Sequence, residues 1–263
     1  MPAQIMYELE HGVVRITLSR PEKRNALSLR MLEDFSEALD RASNERNARV
    51  LVLAAVGTAF CAGMDLKDVR LDEENQAAQF AATLAAVYRK LLTFPLVTLC
   101  AVDGRAVGGG VGIACAADML WAGSEASFSL PETRIGVVPA LVSVVLRRRL
   151  PPIRLSGLLM TGRVLDPSQA VGVGLADVVA ENFAHAEAEQ YAHRLVRENS
   201  GEAMSRTRLF LNEHSGARLV DELDVAQREF RAAVNTSAAR RGLAAFRECE
   251  SFAWDDDLEA RPS

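Results

Sequence analysis

Two glycine turns and one carboxylate are the parts of this chain whose residue types could do chemistry. Ala62-Gly63-Met64 and Gly108-Gly109-Gly110 each follow an apolar segment, and Glu132 is the first carboxylate after the helix beyond the second turn to stand beside a proline. A glycine turn leading into a helix leaves main-chain N–H groups without local partners, at the positive end of the helix dipole. If neighbouring strands carry the two turns, the N–H groups of Met64 and Gly109 converge on one point. Two such donors form an oxyanion hole, and losing one costs about 3–4 kcal/mol of barrier. The plainer alternative is that the glycines serve tight turns and close helix packing. Glu132 in an apolar pocket would have a raised pKa and could take and return a proton near neutral pH. Its plainer alternative is a carboxylate at a helix end or on the surface.

Other chemistries fit less well. A dinucleotide fingerprint would need glycine where Ile113 stands, and the G-K-[ST] of a P-loop is absent. Cys61, Cys100, Cys115 and Cys249 lie far apart without C-x-x-C spacing, which supports neither zinc nor a disulfide framework and suggests buried apolar thiols. The four histidines show no metal spacing, so no metal site is expected.

The elements that must position the turns read as an α/β pattern. Ile5 to Glu10 and Val13 to Leu18 form a hairpin about His11-Gly12. Ser28 caps a helix over Leu29 to Asn44, and Val50 to Val56 is a continuous apolar strand of the kind buried in a parallel sheet. A helix over Gln76 to Thr93 precedes a buried strand, Leu96 to Val102, and the second glycine turn with its small-residue helix. Short strands follow at Met119 to Ala122, Ala126 to Leu130 and Leu175 to Val179, with helices at Leu141 to Leu150 and Ile153 to Thr161. Strands alternating with helices argue for parallel β units. From Ala184 onward the pattern is helical, so residues 1–195 are expected to form the core with the site and residues 196–263 a helical C-terminal region.

With 263 residues, 49% hydrophobic and 25% charged, the chain has the profile of an ordinary globular protein. A net charge of -5 argues against a nucleic-acid surface while leaving room for an anionic small ligand held by local Lys and Arg. Met1 to Glu10 has no apolar h-region, and no uncharged run is long enough to span a bilayer, so a cytoplasmic location without membrane contact is expected.

The segments A-F-C-A-G-M-D-L (Ala59 to Leu66), the G-x-x-x-G-G-G turn (Gly104 to Gly110), C-A-A-D (Cys115 to Asp118) and F-S-L-P-E-x-x-x-G (Phe128 to Gly136) resemble the crotonase (enoyl-CoA hydratase/isomerase) superfamily. The likeness includes R-P-E-K-R-N-A-L from Arg20 and runs over nearly the whole chain. It implies a spiral core of ββα turns and a C-terminal helical region that assembles trimers, often paired into hexamers. It assigns the oxyanion donors to Met64 and Gly109. Coenzyme A, or a phosphopantetheine arm on a carrier protein, would lie near Arg20, Lys23, Arg24, Ala62 and Lys67, with no further cofactor. Phe230 and Phe246 match positions that line the acyl pocket or the neighbouring CoA site, although ordinary helix packing explains them equally.

One departure matters. Two-carboxylate hydratases of this superfamily carry a glutamate two residues after the third glycine, where this chain has Gly112; the second glutamate of the pattern is Glu132. The glycine is expected to make room for a branched or carboxylated acyl group. Pro139-Ala140-Leu141-Val142-Ser143 resembles the branched-chain subgroup of 3-methylglutaconyl-CoA hydratases and polyketide β-branching dehydratases. The expected function is an acyl-thioester lyase hydrating or dehydrating the C2–C3 bond, with Glu132 as acid/base. Double-bond isomerisation and carbon–carbon cleavage of the feruloyl-CoA type remain open, as does a non-catalytic module that binds a carrier protein or RNA.

Overall fold

A computed structural model of the chain describes residues 4–70 and 73–248. Cys249 and the end of the expected helical tail lie outside the described residues. The chain opens with a hairpin of β1 (Ile5–Glu10) and β2 (Val13–Leu18). His11 and Gly12 both take positive φ, 47° and 85°, which matches the turn twist to that of the flanking strands. Helix α1 (Leu29–Ser43) follows, with the Ser28 hydroxyl accepting from the Met31 N–H at its start. Met31, Leu32, Phe35 and Leu39 are buried on one face, as their spacing predicts.

Three ββα units come next. The first contains β3 (Val50–Ala55), β4 (Ala59–Cys61) and α2 (Glu74–Leu92). The second contains β5 (Val97–Val102), β6 (Arg105–Val107) and α3 (Gly109–Cys115). The third contains β7 (Met119–Ala122), β8 (Ser127–Ser129), a 3₁₀ turn over Glu132–Ile135 and α4 (Ala140–Leu146). After α5 (Pro152–Thr161) and α6 (Pro167–Val173), strand β9 (Val178–Val179) closes the strand inventory of the described residues. Six strands build a large sheet in the order β1-β2-β3-β5-β7-β9, parallel beyond the first pair, and the other three a separate parallel sheet, β4-β6-β8.

β4 and β6 are the elements that the sequence reading absorbed into glycine turns. Three residues are too few to show an alternating pattern, and tertiary pairing alone makes them strands. The expected strand over Leu175 to Val179 shortens to Val178–Val179, because the Leu175 N–H instead bonds the end of α6 at Ala170.

Helix α7 (Ala184–Glu198) covers the outer face of the large sheet and runs across residue 195. Its Ala184, Ala188 and Ala192 let the backbone approach Val50, Val52, Leu99 and Trp121 closely. Helix α8 (Gly201–Val234) packs on α2 and α4, and α9 (Ser237–Glu248) on the turn over Glu132–Ile135. Arg208 of α8 is buried; it donates to Asp118 Oδ2 at 2.6 Å, to the Leu91 carbonyl at 2.9 Å and to the Phe94 carbonyl. A buried cation with an acceptor at each of its three nitrogens favours one docking geometry for the helix. Among the described residues no helix is long and apolar enough to cross a membrane.

Candidate active site

The small sheet brings the two glycine turns and Glu132 together. Its three strands run parallel in the order β4-β6-β8, so their C-terminal ends share one edge. The turn at residues 62–64 leaves β4 there, the turn at 108–110 leaves β6, and Leu130-Pro131-Glu132 leaves β8. Met64, Gly109 and Glu132 all line one cavity of about 310 Å³ at that edge.

The Met64 amide is aimed by its neighbours. Leu27 donates to the Gly63 carbonyl at 2.7 Å and accepts from the Asp65 N–H at 2.9 Å. This parallel bridge holds residues 63 and 65 on the Leu27 side, so the Met64 N–H faces the other way. Gly109 is the first residue of α3, where an N–H has no intrahelical acceptor. Among the described residues neither N–H donates to another protein group. The glycines serve both of the expected purposes, at different positions. Gly63 and Gly108 take φ of 83° and 52°, as the turns demand. At Gly110, by contrast, a Cβ would lie 2.6 Å from Cys61 Cβ, so close packing of the two turns requires that glycine.

Glu132 starts the 3₁₀ turn, with Oε1 only 2.9 Å from where a Cβ on Gly108 would sit. Its Oε2 is buried without a hydrogen-bond partner. Burial pushes the carboxyl up to about 7 from its ordinary 4.5, opposed only by the hydrogen bond of its own amide. Phe80, Leu84, Val137, Leu141 and Phe230 supply apolar wall, and among the described cavity residues Glu132 is the sole carboxylate. An unpartnered buried carboxylate oxygen is costly in a folded protein, and such groups concentrate where chemistry is done.

Other expected site residues fall into three groups. Ala62, Phe230 and Phe246 line the cavity; Phe230 is buried, whereas Phe246 is 56% exposed. Lys23, Arg24 and Lys67 are exposed outside it, and Arg24 lies against the rim because its carbonyl accepts from the Ala62 N–H at 3.0 Å. Arg20 behaves differently. Its guanidinium bonds Asp65 and Asp68, each at 2.9 Å, so its charge is already neutralised within the protein. Burial alone would raise the Asp65 carboxyl, yet Arg20 and the Lys67 and Asp68 amides hold it below the usual range.

Gly112 is corrected. It does not line the cavity, and the space it leaves is filled by the Tyr88 ring rather than open to an acyl group: a Cβ there would meet Tyr88 Oη at 2.1 Å. Tyr88 itself went unnoticed in the sequence, because on α2 it reads as one more core position of an amphipathic helix. Asn25 also went unnoticed. Fully buried, it accepts from the Arg20 N–H and donates to the Val56 and Ala59 carbonyls, pinning the loop that carries Leu27. Its positive φ of 53° is the physical reason for asparagine, though the sequence shows only a polar residue in a basic loop.

Known proteins place this geometry in a family. The chain is 30% identical to the mitochondrial methylglutaconyl-CoA hydratase of Rattus norvegicus, over 92% of this chain and 78% of that one. It is 28% identical to the 1,2-epoxyphenylacetyl-CoA isomerase of Escherichia coli (strain K12), over 92% and 94% of the respective chains. The crystal structure of an enoyl-CoA hydratase from Mycobacterium avium superposes with a TM-score of 0.84 at 30% identity, covering 97% of this chain and 100% of the other. The sequence matches the enoyl-CoA hydratase/isomerase profile over residues 8–257, and with that extent of agreement the chain belongs to the enoyl-CoA hydratase/isomerase family.

Proposed function

We propose that the protein adds water to, or removes it from, the C2–C3 bond of an enoyl thioester, with Glu132 as the single acid/base. In the hydration direction the Glu132 carboxylate takes a proton from water as its oxygen bonds C3. The electron pair of the C2–C3 double bond moves to the thioester oxygen. There the Met64 and Gly109 N–H groups stabilise the enolate, and Glu132 then returns the proton to C2. One observation carries this reading: the buried Oε2 of Glu132 lies in the same apolar cavity as two main-chain amides, and among the described residues none of the three has a hydrogen-bond partner. A carboxyl titrating at about 7 is suited to both halves of the cycle.

Coenzyme A or a phosphopantetheine arm is proposed as the carrier, with Lys23, Arg24 and Lys67 as exposed partners for its phosphates. Branched acyl chains of the methylglutaconyl type are the first candidates, given the relative named above. We further propose a homotrimer or paired trimers, for which exposed Ile153, Met160 and Val164 would supply apolar contact. A second reading, double-bond isomerisation, is favoured by the presence of one carboxylate among the described cavity residues, since moving a proton from C4 to C2 needs no second acid. Mass spectrometry of branched and straight enoyl thioesters incubated with the protein in ¹⁸O-labelled deuterium oxide separates the two. Hydration inserts ¹⁸O into product; isomerisation exchanges hydrogen alone; neither change with any substrate would end the catalytic reading.

A further inference from the structure

The Tyr88 hydroxyl packs against the first turn of α3, at Gly109 and Gly112. Tyr88 is fully buried, yet its ring also forms part of the cavity wall. Its Oη donates to the Gly109 carbonyl at 3.0 Å. On the other side of that residue, the Gly108 N–H donates to the Ser129 carbonyl at 2.9 Å. The Gly109 amide is thus held between two fixed hydrogen bonds, one from the small sheet and one from α2. The ring reaches this position only because residue 112 has no side chain: a Cβ there would sit 2.1 Å from Oη, 2.5 Å from Cζ and 2.9 Å from Cε1.

We propose that Tyr88 is a positioning residue for this site, aiming the Gly109 amide at the thioester oxygen through its bond to the Gly109 carbonyl, and that Gly112 is the gap that admits it. The inference rests on the enolate chemistry proposed above and deepens it. Burial, and then the nearby Glu132 carboxylate, keep the phenol far above its ordinary pKa, so it donates without competing for the proton that Glu132 moves. The place that a second carboxylate would take from residue 112 therefore holds a fixed neutral donor.

Tyr88→Phe keeps the ring packing and deletes the bond. The expected result is kcat lowered about fivefold to tenfold with KM within about twofold and the pH midpoint unmoved, as for an interaction that acts on the transition state. A kcat within twofold of the parent, or a loss matched by the unfolded fraction, would overturn the proposal. Gly112→Ala must push the phenol away, so it is expected to show the same loss, and Tyr88→Phe/Gly112→Ala no more than about twofold beyond either; losses that multiply would show that the two residues act independently. Amide hydrogen exchange over residues 105–113, read by mass spectrometry without substrate, gives a readout independent of the reaction. Tyr88→Phe should accelerate it about tenfold, and unchanged exchange contradicts the proposal. If the parent protein exchanges no C2 hydrogen of any bound thioester, the functional reading fails. If it does and Tyr88→Phe matches it, only this inference fails.

Discussion

Glutamine at position 132 preserves the shape of the side chain and removes its proton, so one substitution has two opposite effects. Burial lifts the Glu132 carboxyl from 4.5 to about 7. A carboxyl whose pKa is higher in the folded state favours folding when it is neutral. That contribution is complete below pH 4.5, the value in the unfolded chain, and is lost as pH rises through 7. The interval corresponds to about 3 kcal/mol, a penalty that the parent protein bears at pH 8.5 and Glu132→Gln does not. Differential scanning calorimetry should therefore show the variant more stable at pH 8.5, by roughly 6 °C in Tm, with the advantage vanishing toward pH 4.5. Its kcat on an enoyl thioester should meanwhile fall by about 10²–10⁴, the usual worth of a positioned acid/base, with thioester affinity kept. A variant that retains more than about a tenth of the parent kcat would refute the assignment. A Tm difference independent of pH would refute the burial argument.

Three further outcomes are expected. Lys67→Ala, which alters an exposed cation beside the Met64 turn, should raise KM for CoA thioesters at low salt by about fivefold and leave KM for pantetheine thioesters unchanged; equal effects on both would remove Lys67 from phosphate binding. Gly108→Ala would force a Cβ to within 2.9 Å of Glu132 Oε1 at a φ of 52°, so kcat should fall at least about tenfold while far-ultraviolet dichroism stays native. The Asp65 carboxyl, held below the usual range, stabilises the fold above its unfolded pKa and ceases to as pH falls through its folded value. Asp65→Asn should accordingly be less stable than the parent at pH 7 and approach it in strong acid, as urea titrations across pH would show; parallel curves would contradict the Arg20–Asp65 pairing.

The fold was legible where burial writes a pattern. β1, β2 and β7 fall at the residues that alternation and apolar runs indicated, and the large sheet is parallel beyond its first pair, as the fully buried Val50 to Leu53 run implied. Of the small sheet only β8 was legible, inside the expected strand from Ala126 to Leu130; β4 and β6 were not, because they are three residues each and exist through pairing with their neighbours. That sheet nevertheless explains why turns 46 residues apart, at Gly63 and Gly109, reach one cavity. Glycine spacing and the proline beside the carboxylate singled out Met64, Gly109 and Glu132, which the fold brings to one cavity. The pairing of Arg20 with Asp65 and Asp68 was not legible, because those carboxylates lie 45 and 48 positions away in sequence. Gly112 was misjudged for the same physical reason: what fills the space over a glycine comes from another element, here Tyr88 on α2.

The proposed enolate chemistry depends most on the Met64 and Gly109 amides both donating to the thioester carbonyl. Difference infrared spectroscopy of a ¹³C-carbonyl thioester bound to Glu132→Gln reads this directly, because the variant holds the ligand without turning it over. Two donors in a cavity shielded from water should shift the carbonyl stretch below its frequency in free aqueous ligand. A stretch at or above that frequency would mean that the two amides do not meet the oxygen.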